Sequence, residues 1–139
     1  MVQIISGKKG KGKTKHLLEK VNASIKEAHG TIVYLDKNTK HMFELNNRVR
    51  LIDVSQYPIK NYDGFLGFIC GIISQDHDLE EVYLDSFLTL AYLDQSSVEQ
   101  AIDDLNVIGA KYDVTFILSI SEDKEHLPAN AQDKVIISL

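Results

Sequence analysis

Apolar residues in this chain fall either into short continuous runs or into longer stretches where they recur every three or four positions. Short runs rich in β-branched residues read as buried strands, and the three-to-four spacing reads as helices with one apolar face. On that basis Met1–Ser6 (MVQIIS) is a strand, and Lys13–His29 is a helix whose inner stripe is Leu17, Leu18, Val21, Ile25 and Ala28. Gly30 is placed to stop this helix as the glycine after its last turn. Thr31–Leu35 (TIVYL) and Leu51–Val54 read as strands, with the weakly helical Thr39–Asn46 between them. A helix over Tyr62–Ser74 and a strand over Glu81–Leu84 (EVYL) follow. Ser97–Gly109 reads as a helix carrying apolar Val98, Ala101, Ile102, Leu105 and Ile108, opened by a capping box of Ser96 and Glu99. Val114–Ile120 and Val135–Leu139 are the last strands, separated by the polar stretch Ser121–Asp133.

Strands that alternate with helices predict an α/β fold, a three-layer sandwich with a mostly parallel central sheet covered on both faces. At 139 residues and 44% apolar content, the chain is expected to form one domain over residues 1–139. The run Gly64–Ile73 (GFLGFICGII) is about half the roughly 20 apolar residues a membrane-spanning helix needs, so it reads as a buried helix. Its glycines at 64, 67 and 71 share a helix face, which predicts close approach to the sheet or to a partner helix. Cys70, the single cysteine, has no partner for an internal disulfide and reads as a small buried hydrophobe. No secretory leader pattern is evident, and a cytoplasmic location away from membranes is expected.

The chemistry concentrates in Gly7–Thr14, GKKGKGKT, which fits the phosphate-cradling pattern GxxxxGK[ST] between a strand and a helix. Glycine loops of this kind let backbone N–H groups curl around phosphate oxygens at the positive end of the following helix. Gly7 turns the chain out of the strand, Gly10 adds freedom in mid-loop, and Gly12 lets backbone approach the phosphates. In this pattern Lys13 is expected to reach the β- and γ-phosphates, and Thr14 to ligate magnesium. Lys8, Lys9, Lys11 and Lys15 add positive charge around the same pocket. Such a cluster also fits a nucleic acid backbone, but the net charge of −5 makes a phosphate pocket the favoured reading.

Magnesium needs a carboxylate at the end of a strand near the loop. Asp36, Asp53 and Asp85 each end a strand, and Asp85, in VYLD, is the choice for the metal because it follows a full helical crossover. With GKKGKGKT as Walker A and VYLD as Walker B, the chain resembles the P-loop NTPase superfamily. The lack of DxxG and NKxD patterns argues against a GTPase, and the chain looks more like a reduced RecA-like ATPase core. That resemblance implies ATP and Mg²⁺ as ligands, and a sensor strand. Val114–Ile120 fits the sensor strand, with Ser119 or Ser121 near the γ-phosphate.

The resemblance also exposes a departure. Many such ATPases carry a glutamate directly after the Walker B aspartate to orient the attacking water, and here that place is Ser86. Asp36, at the end of the strand after the loop's helix, is the alternative catalytic carboxylate, with Lys13 as the other catalytic group. The only arginines, Arg48 and Arg50, lie before a short strand and would serve as fingers only across a subunit boundary. Asp76-His77-Asp78 and Glu122–His126 read as solvated loops. The leading reading is an ATP-binding protein with slow or partner-stimulated Mg-dependent ATPase activity, acting alone, as a homo-oligomer or with a protein partner. The alternatives are a small nucleoside or nucleotide kinase with Asp36 as base, and a non-catalytic ATP-binding regulatory or assembly subunit.

Overall fold

Six strands, β1 (Val2–Ser6), β2 (Thr31–Asp36), β3 (Arg50–Asp53), β4 (Leu79–Leu84), β5 (Thr115–Ile120) and β6 (Val135–Ser138), fall on the six apolar runs. In the computed structural model, which describes residues 1–139, they form one all-parallel sheet in the order β3-β2-β4-β5-β1-β6. Five helices connect them: α1 (Lys13–Ser24), α2 (Tyr62–Ser74), α3 (Phe87–Leu90), α4 (Val98–Tyr112) and α5 (Ala129–Gln132).

Side chains alternate across a strand, and each face of this sheet is buried under a different set of elements. Ile5, Ile32, Tyr34, Tyr83 and Ile117 face α1 and pack with its Leu17, Leu18 and Val21 and with Ile25 just past its end. Their neighbours Ile4, Val33, Leu35, Val82, Leu84, Phe116 and Leu118 face the other way, against Phe65 and Ile69 of α2 and Ala101, Ile102 and Leu105 of α4. Removing each such aliphatic or aromatic side chain from water contributes about 1.5–3 kcal/mol, which offsets the entropy of ordering the chain. Helices on both faces of the parallel sheet give the expected α/β layering.

Several local expectations are corrected. Helix α1 stops at Ser24 rather than at His29, and Gly30 is not a left-handed cap. A Cβ at Gly30 would lie 1.9 Å from the Asp78 carbonyl oxygen, so this glycine serves close backbone approach beside the Thr31 N–H···Asp78 bond. Thr39–Asn46 keeps only a 3₁₀ turn over Met42–Glu44. The Ser96–Glu99 capping box does not form. Asp94 instead accepts from the Ser96 N–H at 2.9 Å and from both the Ser96 and Ser97 hydroxyls, which closes a 3₁₀ turn ahead of α4.

Helix α2 has the expected bounds but is not buried all round. Phe65, Ile69, Ile72 and Ile73 point inward, whereas Gly67, Gly71 and Cys70 are exposed. A Cβ at Gly67 or Gly71 would meet nothing within 4 Å, so neither glycine serves a close approach. Cys70 is a surface thiol, because a 13-residue helix on one side of a sheet buries only one stripe, however apolar its sequence.

Candidate functional site

The glycine loop leaves the carboxyl end of β1 with the Gly7 N–H bonded to the Ile120 carbonyl at 3.3 Å. Gly10 and Gly12 sit at φ +88° and +91°, in the left-handed region where a side chain is strained. Gly12 caps α1 without any side-chain acceptor, and no acidic residue occupies the first turn. Two cations, Lys13 and Lys15, stand there at the positive end of the helix dipole. That placement is unfavourable in isolation and favourable when an anion is bound.

Lys13 is only 8% exposed, and its Nζ donates to the Lys8 carbonyl oxygen at 3.1 Å within its own loop. It enters no ion pair of the chain. Burial pulls its pKa below the ordinary lysine value, and the nearby Asp85 charge opposes this only in part. A buried ammonium resting on one carbonyl is poised to gain from an incoming phosphate oxygen.

Pairing of Leu35 with Leu84 and of Leu84 with Leu118 places the next residues, Asp36, Asp85 and Ser119, side by side at the carboxyl ends of β2, β4 and β5. All three point to the α1 face, since each lies two positions beyond a residue of that layer: Tyr34, Tyr83 and Ile117. The Asp85 carboxylate is buried and receives three hydroxyls. Thr14 Oγ1 and Ser119 Oγ donate to Oδ1 at 3.2 and 3.1 Å, and the Tyr34 hydroxyl donates to Oδ2 at 2.9 Å. Burial first, then the Asp85 charge and hydrogen bond, drive the Tyr34 phenol far above its usual pKa, so it acts as a fixed donor.

Asp36 is 3% exposed; its Oδ1 accepts from the Lys37 N–H at 2.7 Å, and its Oδ2 is buried with no partner. Burial raises its pKa, and the neighbouring Asp85 charge adds to the rise. Directly after Asp85, Ser86 adopts φ +61°, unusual for a non-glycine residue, with its N–H donated to Ser119 Oγ at 2.7 Å.

The other expected residues divide clearly. Lys8, Lys9, Lys11 and Lys15 are exposed around the loop. Lys9 borders a cavity of about 200 Å³ with Lys37, Ser86, Thr89 and Ser121, and Lys15 borders one of about 310 Å³ with Thr14, Asn22 and His41. Lys8 pairs with Asp123 at 3.5 Å. Asp53 is the register partner of Asp36 on β3, but its carboxylate closes a turn on Ser55. Arg48 donates to the Ile25 carbonyl at 3.1 Å, and Arg50 opens β3 at the opposite end of the sheet, so neither serves this chain's own loop. Asp76, His77 and Asp78 form a turn at that far end, where Asp78 pairs through its backbone with Thr31.

Residues 122–126 are more structured than a solvated loop. Glu122 is buried, accepts from Gln95 and from the Asp123 N–H, and meets His126 Nδ1 at 3.1 Å. Glu122, Asp123 and His126 offer ligand atoms within 4.8 Å of one another, but the acid is already satisfied by these bonds. Tyr34 is the participant that sequence reading missed. The available signal was parity, since it lies two positions before Asp36 on the same strand face. Comparison with known proteins leaves this geometry to speak alone: no protein-family model matches the chain, and no curated protein matches it.

Proposed function

We propose that the chain binds Mg-ATP at the glycine loop as a P-loop NTPase of reduced, RecA-like form and hydrolyses it slowly or on stimulation by a partner. The observation that carries this reading is the bond from Thr14 Oγ1 to Asp85 Oδ1, which joins the two motifs across 71 positions of sequence. Gly10 and Gly12 in the left-handed region, the uncapped start of α1 and the buried Lys13 ammonium all support an anion seated in the loop. Thr14 and Asp85 offer only oxygen donors, the set a hard divalent cation prefers, and they would hold magnesium directly or through its waters. Magnesium, when bound, supplies positive charge that stabilises the phosphate oxygens during transfer.

This chain's own residues divide the remaining work. Lys13 neutralises phosphate charge, and Ser119 fixes both the Asp85 carboxylate and the backbone of Ser86. Asp36 presents a buried oxygen without a partner and a raised pKa, the properties of a group that accepts a proton. With Ser86 where a glutamate would activate water, Asp36, set beside Asp85 by the pairing of β2 with β4, is the base in this reading. The same unpartnered oxygen favours the second reading, phosphoryl transfer to a small acceptor.

Phosphate release from ATP by the full chain, compared with Lys13→Ala and with no acceptor present, tests the proposal. Release that exceeds the variant's supports hydrolysis. Turnover seen only when nucleosides are added supports the kinase, and tight binding without turnover leaves a nucleotide-regulated subunit.

A further inference from the structure

Two cavities open side by side at the carboxyl ends of β2 and β4. The one of about 200 Å³ adjoins the glycine loop through Lys9. The other, of about 350 Å³, is walled by Val54, Tyr57, Ile59, Leu90 and Tyr92. Lys37 and Thr89 line both, so the two form a continuous trough. The second cavity falls in the size range of small-molecule sites, about 300–1,000 Å³.

Its wall is built rather than incidental. The Tyr92 hydroxyl donates to the Ile59 carbonyl at 2.6 Å, bridging the segment after β3 to the one after α3. Tyr92 holds φ +57°, a conformation L side chains seldom adopt. The Tyr57 ring leans on Phe68 with centroids 5.3 Å apart. Even so, Tyr57 and Tyr92 remain 50% and 54% exposed, which leaves two aromatic surfaces beside an apolar floor. Lys37 is exposed at the junction and enters no ion pair of the chain.

Aromatic walls favour a planar ring, and Lys37, the one cation that lines this second cavity, favours one anionic group. We infer that this cavity binds a small molecule made of a planar ring and one anionic group, with the ring against Tyr57 and Tyr92 and the anion at Lys37. The inference rests on the proposed triphosphate site only in having the two ligands bind together.

The test uses the full chain and four probes, AMP, CMP, GMP and UMP, titrated singly and followed by calorimetry and by the tyrosine ring resonances. Each titration is run on free protein and on protein saturated with magnesium and a non-hydrolysable β,γ-imido ATP analogue. At least one probe is expected to bind with Kd of about 1 mM or tighter under both conditions. Tyr57→Ala and Lys37→Ala should each weaken it about tenfold, Tyr57→Phe should restore it, and Tyr57→Ala should leave analogue affinity within about twofold. Absence of binding by all four at about 5 mM, or binding indifferent to Tyr57→Ala, overturns the inference. Displacement of the probe by the analogue also overturns it, since the trough would then belong to the triphosphate. Should a probe bind with this dependence on Tyr57 while the analogue does not bind, the cavity assignment stands and the triphosphate reading falls.

Discussion

The Tyr34 hydroxyl donates at 2.9 Å to Asp85 Oδ2, on the side of the carboxylate away from Thr14. This bond fixes the plane of the Asp85 carboxylate and is the only hydrogen bond of a fully buried phenol. Tyr34→Phe is expected to cost about 1.5–3 kcal/mol of folding stability, the usual range for a bond to a charged acceptor. Asp85→Ala should cost more, because it leaves the buried hydroxyls of Tyr34 and Ser119 without this acceptor. Urea unfolding of the two variants checks the order, and a Tyr34→Phe protein as stable as the native chain would contradict it.

Asp36 gives the chain a predictable pH response. Its folded pKa lies above the ordinary value of 3.8, first through burial and then through the Asp85 charge. The folded state therefore keeps this proton after the unfolded chain has released it. Stability from this group is fully present below the unfolded pKa and is lost as pH rises through the raised folded value. Asp36→Asn should remove that loss, so its stability relative to the native chain should improve from acid toward neutral pH. Unfolding midpoints measured across that range provide the check, and a relative stability that worsens toward neutral pH would refute the assignment.

The glycines separate by environment. Gly30→Ala would set a Cβ 1.9 Å from a backbone carbonyl oxygen, which neither strand can yield without moving. A loss of about 3 kcal/mol or more is expected. Gly67→Ala and Gly71→Ala on the open face of α2 should instead stabilise by about 0.5–1 kcal/mol each, through helix propensity. Thermal melts of the three single variants distinguish these outcomes.

Cys70 should react in the folded protein with one equivalent of a thiol reagent at a rate close to that of an unhindered thiol, since it is exposed. Cys70→Ser should change stability by no more than about 0.5 kcal/mol. Labelling seen only after unfolding would contradict the exposed placement.

The order of strands and helices was legible because apolar runs and three-to-four spacing report burial directly, and Tyr62–Ser74 appears with its expected bounds. Which face of that helix is buried was not legible, since Cys70, Gly67 and Leu66 are all apolar or small and only the sheet decides among them. At the site, Gly7–Thr14 and the three strand-ending aspartates were visible as residue types. Asp85 and Asp36 were singled out by their places along the chain, but not their contacts, because only the folded sheet sets Asp36 between Asp85 and Asp53 and turns the Asp53 carboxylate to Ser55. Tyr34 escaped notice for the same reason, its role being set by the strand beside it. The tether of Lys8 to Asp123 likewise joins segments that nothing in the sequence links.

The most direct test of the central claim is calorimetric titration of Mg-ATP into the native chain and into Lys13→Ala. The native chain should bind one equivalent. The variant, relieved of a buried ammonium, should keep its melting temperature or raise it while losing about 10- to 100-fold in affinity. No heat of binding from the native chain, or equal affinity in both proteins, would contradict the assignment of the glycine loop as a triphosphate site.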